Sequence, residues 1–418
     1  MADQLLRGQF LVEEPGGYRF GHNTLREVIY GELSEPDRRE LHLRAAAVLE
    51  QEHYARVEAL AQHLYLAGAW QKAIPHLVQA GDRARVICAY RDALRCYDQA
   101  LAAAGQLAAS GGAGEADTRR AIHLKRGEVF ALLSHYAKAI GAYEQALRLA
   151  ESNGAGSSNA GRSAQIQALN GLCFVYGLTN EYDSARTASR RAMALADASP
   201  RLQDRADTCY HAGQTSYHMN AYAEALTYLQ QALELYEAVD SQGGQARCLE
   251  LLAWTWRRQE GVTDRVVENL ERALSIYRTL GDDYHERLCR VSLANVHLLR
   301  GAFDEVLRAC DAVLPFFRST HARYTIAECQ YLRGVALYAV GRLTDSLAAW
   351  DETIAICAEL GISAAVEVNR MYRGQVLRAL ERYDEGLRDL QAACATDDRL
   401  VKPRALSRGP SVASELGS

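Results

Sequence analysis

The chain has 418 residues, 49% of them hydrophobic and 24% charged, with a formal net charge of −5. That length bounds it to two or three ordinary domains or one long repeat array. The acidic balance argues against direct nucleic-acid binding, which usually shows a basic excess, and no run of about 18 apolar residues offers a membrane-spanning helix.

The opening stretch MADQLLRGQF has no apolar signal core, so the expected location is the cytoplasm. Phe10-Leu11-Val12 and Tyr18-Arg19-Phe20 then flank Pro15-Gly16-Gly17, two β-prone runs around a turn signal, which predicts a hairpin over about 10–20. A helix follows with Leu25, Val28, Ile29 and Leu33 on one face. Ser34-Glu35-Pro36-Asp37 ends it and starts another, through Leu41, Leu43, Ala46 and Leu49. Hairpin wing followed by helix reads as the end of a winged-helix domain, and residues 1–50 form a partial remnant of one.

From about residue 51 the sequence repeats itself. In GQTSYHMNAYAEALTYLQQAL a small residue, Gly213, is followed by Tyr222, Ala225, Leu229 and Ala232. The same offsets carry Gly127, Tyr136, Ala139, Tyr143 and Ala146, then Gly334, Leu343, Ser346, Trp350 and Thr353, and finally Gly374, Tyr383, Gly386, Leu390 and Ala393. Each set predicts two antiparallel helices joined by a short turn, with the small residue where the helices cross and the Ala twelve positions on facing it. A lone hairpin cannot bury its apolar stripe, but a stack of them can. The fold class expected is therefore an all-α solenoid with one short N-terminal β-hairpin. Its first repeats span 51–104 and long-period repeats span 118–396. Third members at 185, 225, 266, 306, 346 and 386 set steps of 40 or 41 residues, against 46 for 93 to 139 and 139 to 185. The surplus lies in the Gly/Ser-rich QLAASGGAGEAD (a linker over 105–117) and SNGAGSSNAGRS. Neither contains a phosphate-loop motif. The helix from about Trp70 to Cys88 is expected to serve two units at once. Residues 397–418 lack apolar period and are expected to be disordered.

The small–aromatic–Ala–aromatic–Ala order resembles the tetratricopeptide repeat, with helices longer by about a turn and a half. The run YRFGHNTLREVIYGEL resembles the junction between the winged helix and the tetratricopeptide sensor of STAND-class signal-transduction ATPases, a group that includes maltose-regulator-like and large LuxR-type bacterial transcription regulators. That resemblance implies a sensor arm for a protein, a peptide or a small-molecule inducer, coupled through residues 1–50 to an ATPase domain in cis or in trans. It also implies a nucleotide-sensing role for His22, although Asn23 departs from the acidic residue that follows in the family. The alternative is a stand-alone scaffold for protein–protein interaction.

No nucleophile, metal or paired-carboxylate motif stands out, so the chain is expected to be non-enzymatic, with no cofactor and no metal. His211 and His218 share a helix face but lack a third ligand. Ten singly scattered cysteines read as free thiols. The expected binding groove is the first-helix stripe at −3, +1 and +4 from each small residue. It comprises Asn170, Phe174, Tyr210, Gln214, Tyr217, Glu250, Trp254 and Arg257, and continues through Asn295, Tyr331, Tyr338, Gln375 and Arg378. Aromatics beside amides suit a peptide or a small hydrogen-bonding ligand.

Overall fold

The computed structural model describes residues 10–14, 17–51, 57–87, 89–109, 115–152, 158–320, 322–360 and 362–395. The hairpin turn at Pro15-Gly16 and the 397–418 tail lie outside the described residues. The chain divides into two compact units, Met1–Leu149 and Ala150–Ser418.

Unit 1 opens with strand β1 (Leu11–Glu14) antiparallel to β2 (Gly17–Phe20), Leu11 standing opposite Phe20 and Val12 opposite Arg19. Helices α1 (Asn23–Glu32) and α2 (Glu35–Gln51) follow. Val28, Ile29, Leu41 and Leu43 are exposed, and Ala46 is the buried residue of α2. Next come α3 (Val57–Leu66), α4 (Trp70–Val86), α5 (Tyr90–Ala109), α6 (Glu115–Leu132) and α7 (Tyr136–Glu151). Helix α4 does serve two hairpins. It packs on α3 through Ala73 and Leu77, and on α5 at Gly81, which lies under the ring of Tyr97. The predicted linker over 105–117 is shorter than its composition suggests. Helix α5 continues to Ala109 and α6 begins at Glu115. Gln106, Leu107, Ala108 and Ala109 are helix formers, and Leu107 packs on Ile74, Ala103 and Ala104.

Unit 2 is a run of hairpins: α8 (Asn159–Leu178) with α9 (Tyr182–Asp197), α10 (Leu202–His218) with α11 (Tyr222–Ala238), and α12 (Gln242–Glu260) with α13 (Asp264–Leu280). It continues with α14 (Asp283–Leu299) and α15 (Phe303–Ser319), α16 (Arg323–Ala339) and α17 (Leu343–Glu359), then α18 (Ser363–Ala379) and α19 (Tyr383–Ala395). Each helix packs on the next. First helices of neighbouring hairpins also touch: α8 with α10, α10 with α12, and α14 with α16.

The turn within each hairpin is set by one backbone position. Asn180, Asn220, Gly261, Gly301, Gly341 and Glu381 all have positive φ, between 59° and 82° for the first three and 73°, 79° and 61° for the others. They recur at the same 40- or 41-residue step as the side-chain pattern. The left-handed residue lets the next amide return to the helix it has just left. Ala221 N–H donates to Ser216 O (2.9 Å) and Arg382 N–H to Leu377 O (2.9 Å). These bonds satisfy carbonyls that a helix end would otherwise leave open.

The crossing is tighter than the Gly-to-Ala facing inferred from spacing. The side chain sixteen positions after the small residue lies over it: Tyr97 over Gly81, Tyr143 over Gly127, Leu229 over Gly213 and Trp350 over Gly334. The backbone of the twelfth residue also closes on it at Gly213, with Ala225 O 3.2 Å from an added Cβ. The core is layered accordingly. Val291 through Val376 form one cluster around Phe317 and Trp350, and Ala246 through Val296 form another around Leu270 and Tyr277. The eight described cysteines are free, seven of them buried. Among the described residues no helix is long and apolar enough to cross a membrane.

Candidate ligand-binding face

The first helices α8, α10 and α12 lie side by side within unit 2. Ser158 starts α8, its Oγ accepting from Gly161 N–H at 3.0 Å, an N-cap that satisfies an open amide. Polar side chains tie α8 to α10. Asn170 Nδ2 donates to Thr208 Oγ1 (3.4 Å) and Cys173 Sγ meets Thr215 Oγ1 (2.9 Å).

On α10, Asp207, Tyr210, His211, Gln214, Tyr217 and His218 recur every three to four positions and so share one face. Of these, Tyr210, Gln214 and Tyr217 belong to the stripe expected from the sequence. Tyr210, His211, Gln214, Tyr217 and His218 are half-buried. The His211 Nδ1 pairs with Gln214 Oε1 at 3.3 Å. The His218 ring stands between Phe174 of α8 (6.3 Å between centroids) and Tyr217 (5.6 Å), and Tyr217 reaches Tyr222 at 5.9 Å.

Helix α12 contributes Arg247, Glu250, Trp254 and Arg257, again at three- and four-residue spacing. The Arg247 guanidinium lies 5.3 Å over the Tyr210 ring, a cation–π contact between neighbouring first helices. The carboxylates are held by phenols from behind. Tyr236 O–H donates to Asp207 Oδ1 (2.6 Å) and Tyr277 O–H donates to Glu250 Oε2 (2.7 Å).

Desolvation lowers the pKa of both His211 and His218 to about 4, with Arg247 repulsion adding to the effect at His211 against the opposing pull of Asp207. Both imidazoles are therefore neutral near pH 7 and offer one donor and one acceptor each. Burial pushes the Cys173, Cys209 and Cys248 thiols up, which keeps them protonated and poorly nucleophilic. This face can stack rings and exchange hydrogen bonds, with one guanidinium at Arg247.

The other expected groove residues differ in exposure. Asn170, Trp254, Arg257, Asn295 and Tyr331 are buried, at 4%, 6%, 4%, 6% and 5% exposure. Arg257 sits over Trp254 of its own helix at 5.6 Å, while Asn170 reaches Thr208 of the next hairpin and Tyr331 meets Trp350 of its own hairpin at 5.4 Å and Tyr372 of the next at 5.9 Å. Tyr338, Gln375 and Arg378 are exposed. Glu250 is half-buried against Tyr277. His22 is exposed at the start of α1 and makes no capping hydrogen bond. Sequence reasoning missed Asp207 and Arg247. They lie six positions before Gly213 and Ala253, one turn beyond the stripe that was read, and extending that stripe would have found them.

The fold is a tandem α-hairpin array of the tetratricopeptide type. It resembles that of a STAND protein with a tetratricopeptide repeat sensor from Pyrococcus horikoshii, with a TM-score of 0.56 at 13% identity over 94% of this chain. The chain spans 57% of the length of that protein. A Rap protein solved in complex with competence and sporulation factor matches at a TM-score of 0.50 and 12% identity, covering 84% of this chain and 96% of that one. Aspartyl phosphate phosphatase F from Bacillus subtilis matches at 0.50 and 11%, covering 88% and 90%. No protein-family model and no curated protein matches the sequence.

Proposed function

We propose that the chain is a non-catalytic binding module whose α8–α10–α12 face takes a peptide segment of a partner protein. The observation that carries this reading is the half-buried stripe of Tyr210, His211, Gln214, Tyr217 and His218. Its rings are accessible, its imidazoles are neutral, and its donors and acceptors suit a peptide backbone. Aromatic anchors with few rotatable bonds bind at low entropic cost. The likeness to a repeat called a sensor in one neighbour, and to a Rap protein complexed with competence and sporulation factor in another, supports the same reading.

A finer reading extends from it. The chain acts as the sensor arm of a cytoplasmic bacterial STAND-type regulator of transcription, and residues 1–50 pass the signal to an ATPase domain. Val28, Ile29, Leu41, Leu43 and Val48 are exposed on α1 and α2, an apolar surface of the kind that another domain covers. A small-molecule inducer is the second ligand class for the same face.

The test is a thermal-shift screen of short peptides and small metabolites against the wild type and Tyr217→Ala. Tyr217 suits this purpose because it is half-buried, whereas Trp254 is packed and its removal would report on folding. A hit that raises the melting temperature of the wild type and not of Tyr217→Ala is expected. Hits that survive both Tyr217→Ala and His218→Ala would place binding elsewhere. A P-loop ATPase reading frame directly upstream would support the regulator, and an unrelated gene there would favour the scaffold.

A further inference from the structure

Within unit 1, helices α5, α6 and α7 enclose a cleft of about 920 Å³. Its lining is strongly basic. Arg91 comes from α5, Arg119 and Arg126 from α6, and Lys138 from α7, joined by His123 and His135. Asp98 is the one carboxylate lining the cleft, and it pairs with Arg126 at 2.9 Å. Among the described residues no carboxylate pairs with Arg91, Arg119 or Lys138.

Elsewhere many guanidinium groups sit on carboxylates, as Arg373 does on Asp389 (2.7 Å) and Asp351 (2.7 Å), or Arg318 on Glu352 (2.9 Å). In the cleft, Arg126 and Lys138 both crowd over the Phe130 ring, at 5.3 and 5.8 Å. The His123 Nδ1 atom is buried without a hydrogen-bond partner. Desolvation and repulsion from Arg126 and Arg119 lower its pKa to about 4, a sign of the positive potential the cleft concentrates. Like charges gathered in a concavity repel one another, and an anion seated there relieves that cost. Guanidinium forks fit phosphate and carboxylate oxygens two at a time.

We propose that this cleft binds a small polyanion carrying two or more phosphate or carboxylate groups. The excess of three cations over the internal Arg126–Asp98 pair matches a ligand of at least two negative charges. The volume fits a small molecule and exceeds the need of a lone ion. Leu94 and Leu133 at the wall leave room for a short apolar portion of the ligand.

Isothermal titration of the full chain at about 50 mM salt, with pyrophosphate and in a parallel arm with citrate, tests this. Saturable binding of either probe is expected, and the arm that binds more tightly names the anion class. The double variant Arg119→Ala/Lys138→Ala should weaken it at least about tenfold. Arg342→Ala, on exposed Arg342 paired with Asp345 in α17, should leave it unchanged. If circular dichroism shows the double variant to be unfolded, the exposed single change Lys138→Gln should give the same direction of effect. Failure of both probes to saturate below about 10 mM, equal binding by Lys138→Gln and wild type, or equal loss in Arg342→Ala would each overturn the proposal.

Discussion

The indole of Trp350 lies directly over Gly334: a Cβ added to that glycine would stand 2.7 Å from Trp350 Cε2. Trp350 is 1% exposed and is stacked on Tyr372 at 5.1 Å, so the ring has nowhere to retreat. Gly334→Ala should therefore destabilise the protein by about 1–3 kcal/mol through overpacking. Gly105 in α5 meets nothing within 4 Å, and Gly105→Ala should be neutral or stabilising by up to about 1 kcal/mol. The urea midpoint should fall for Gly334→Ala and hold or rise for Gly105→Ala, and an unchanged midpoint for Gly334→Ala would place the helix crossing elsewhere.

The turn after α18 is closed by a residue ill suited to it. Glu381 has φ +61°, where the equivalent positions Gly261, Gly301 and Gly341 are glycine. A non-glycine residue in the left-handed region is strained by about 1 kcal/mol. Glu381 is exposed, so Glu381→Gly removes strain without removing packing. A gain of about 0.5 kcal/mol is expected, reduced from the full strain because glycine also loosens the unfolded chain. A fall in melting temperature would show that the Glu381 side chain contributes more than its backbone costs.

Stability should depend on pH through His211 and His218. Both have folded pKa values of about 4 against an ordinary 6.5. The unfolded chain therefore takes up protons that the folded chain refuses. Stability is fully present above about pH 6.5 and declines as the pH falls toward 4, by on the order of 1 kcal/mol for each half-buried ring. His218→Phe keeps the ring contact to Phe174 and removes the titration. Its denaturation midpoint should fall less between pH 6.5 and 4 than that of the wild type. An unchanged slope would mean that His218 is well solvated.

Residues 23–32 should open first in hydrogen exchange. Among the described residues every side chain of α1 is exposed, and α2 buries Ala46 alone. Helix α12, by contrast, buries Ala246, Leu249 and Ala253 completely. Amides of α1 should exchange orders of magnitude faster than those of α12. Comparable protection would indicate that α1 is covered, as a docked domain would do.

Much of the candidate face was legible in advance. Tyr210, Gln214 and Tyr217 could be placed on one stripe because helical periodicity is local: once Gly213 marks the crossing, −3, +1 and +4 follow. The same rule applied to Trp254, Arg257, Asn295 and Tyr331 named residues that the neighbouring hairpins cover. Tyr331 shows why. Its burial comes from Trp350 and Tyr372, nineteen and forty-one positions downstream, and no spacing within its own helix carries that information.

Read alone, the sequence determined the repeat: its 40-residue step, the pairing of helices and the double duty of α4. These follow from steric rules acting within one hairpin. Tertiary structure decided which groove residues reach solvent, that Arg247 lies over Tyr210, that phenols from second helices hold Asp207 and Glu250, and that Arg91, Arg119 and Lys138 line one cleft. Those relations join side chains from different helices, and their geometry is set by how the hairpins pack rather than by the residues of any one of them.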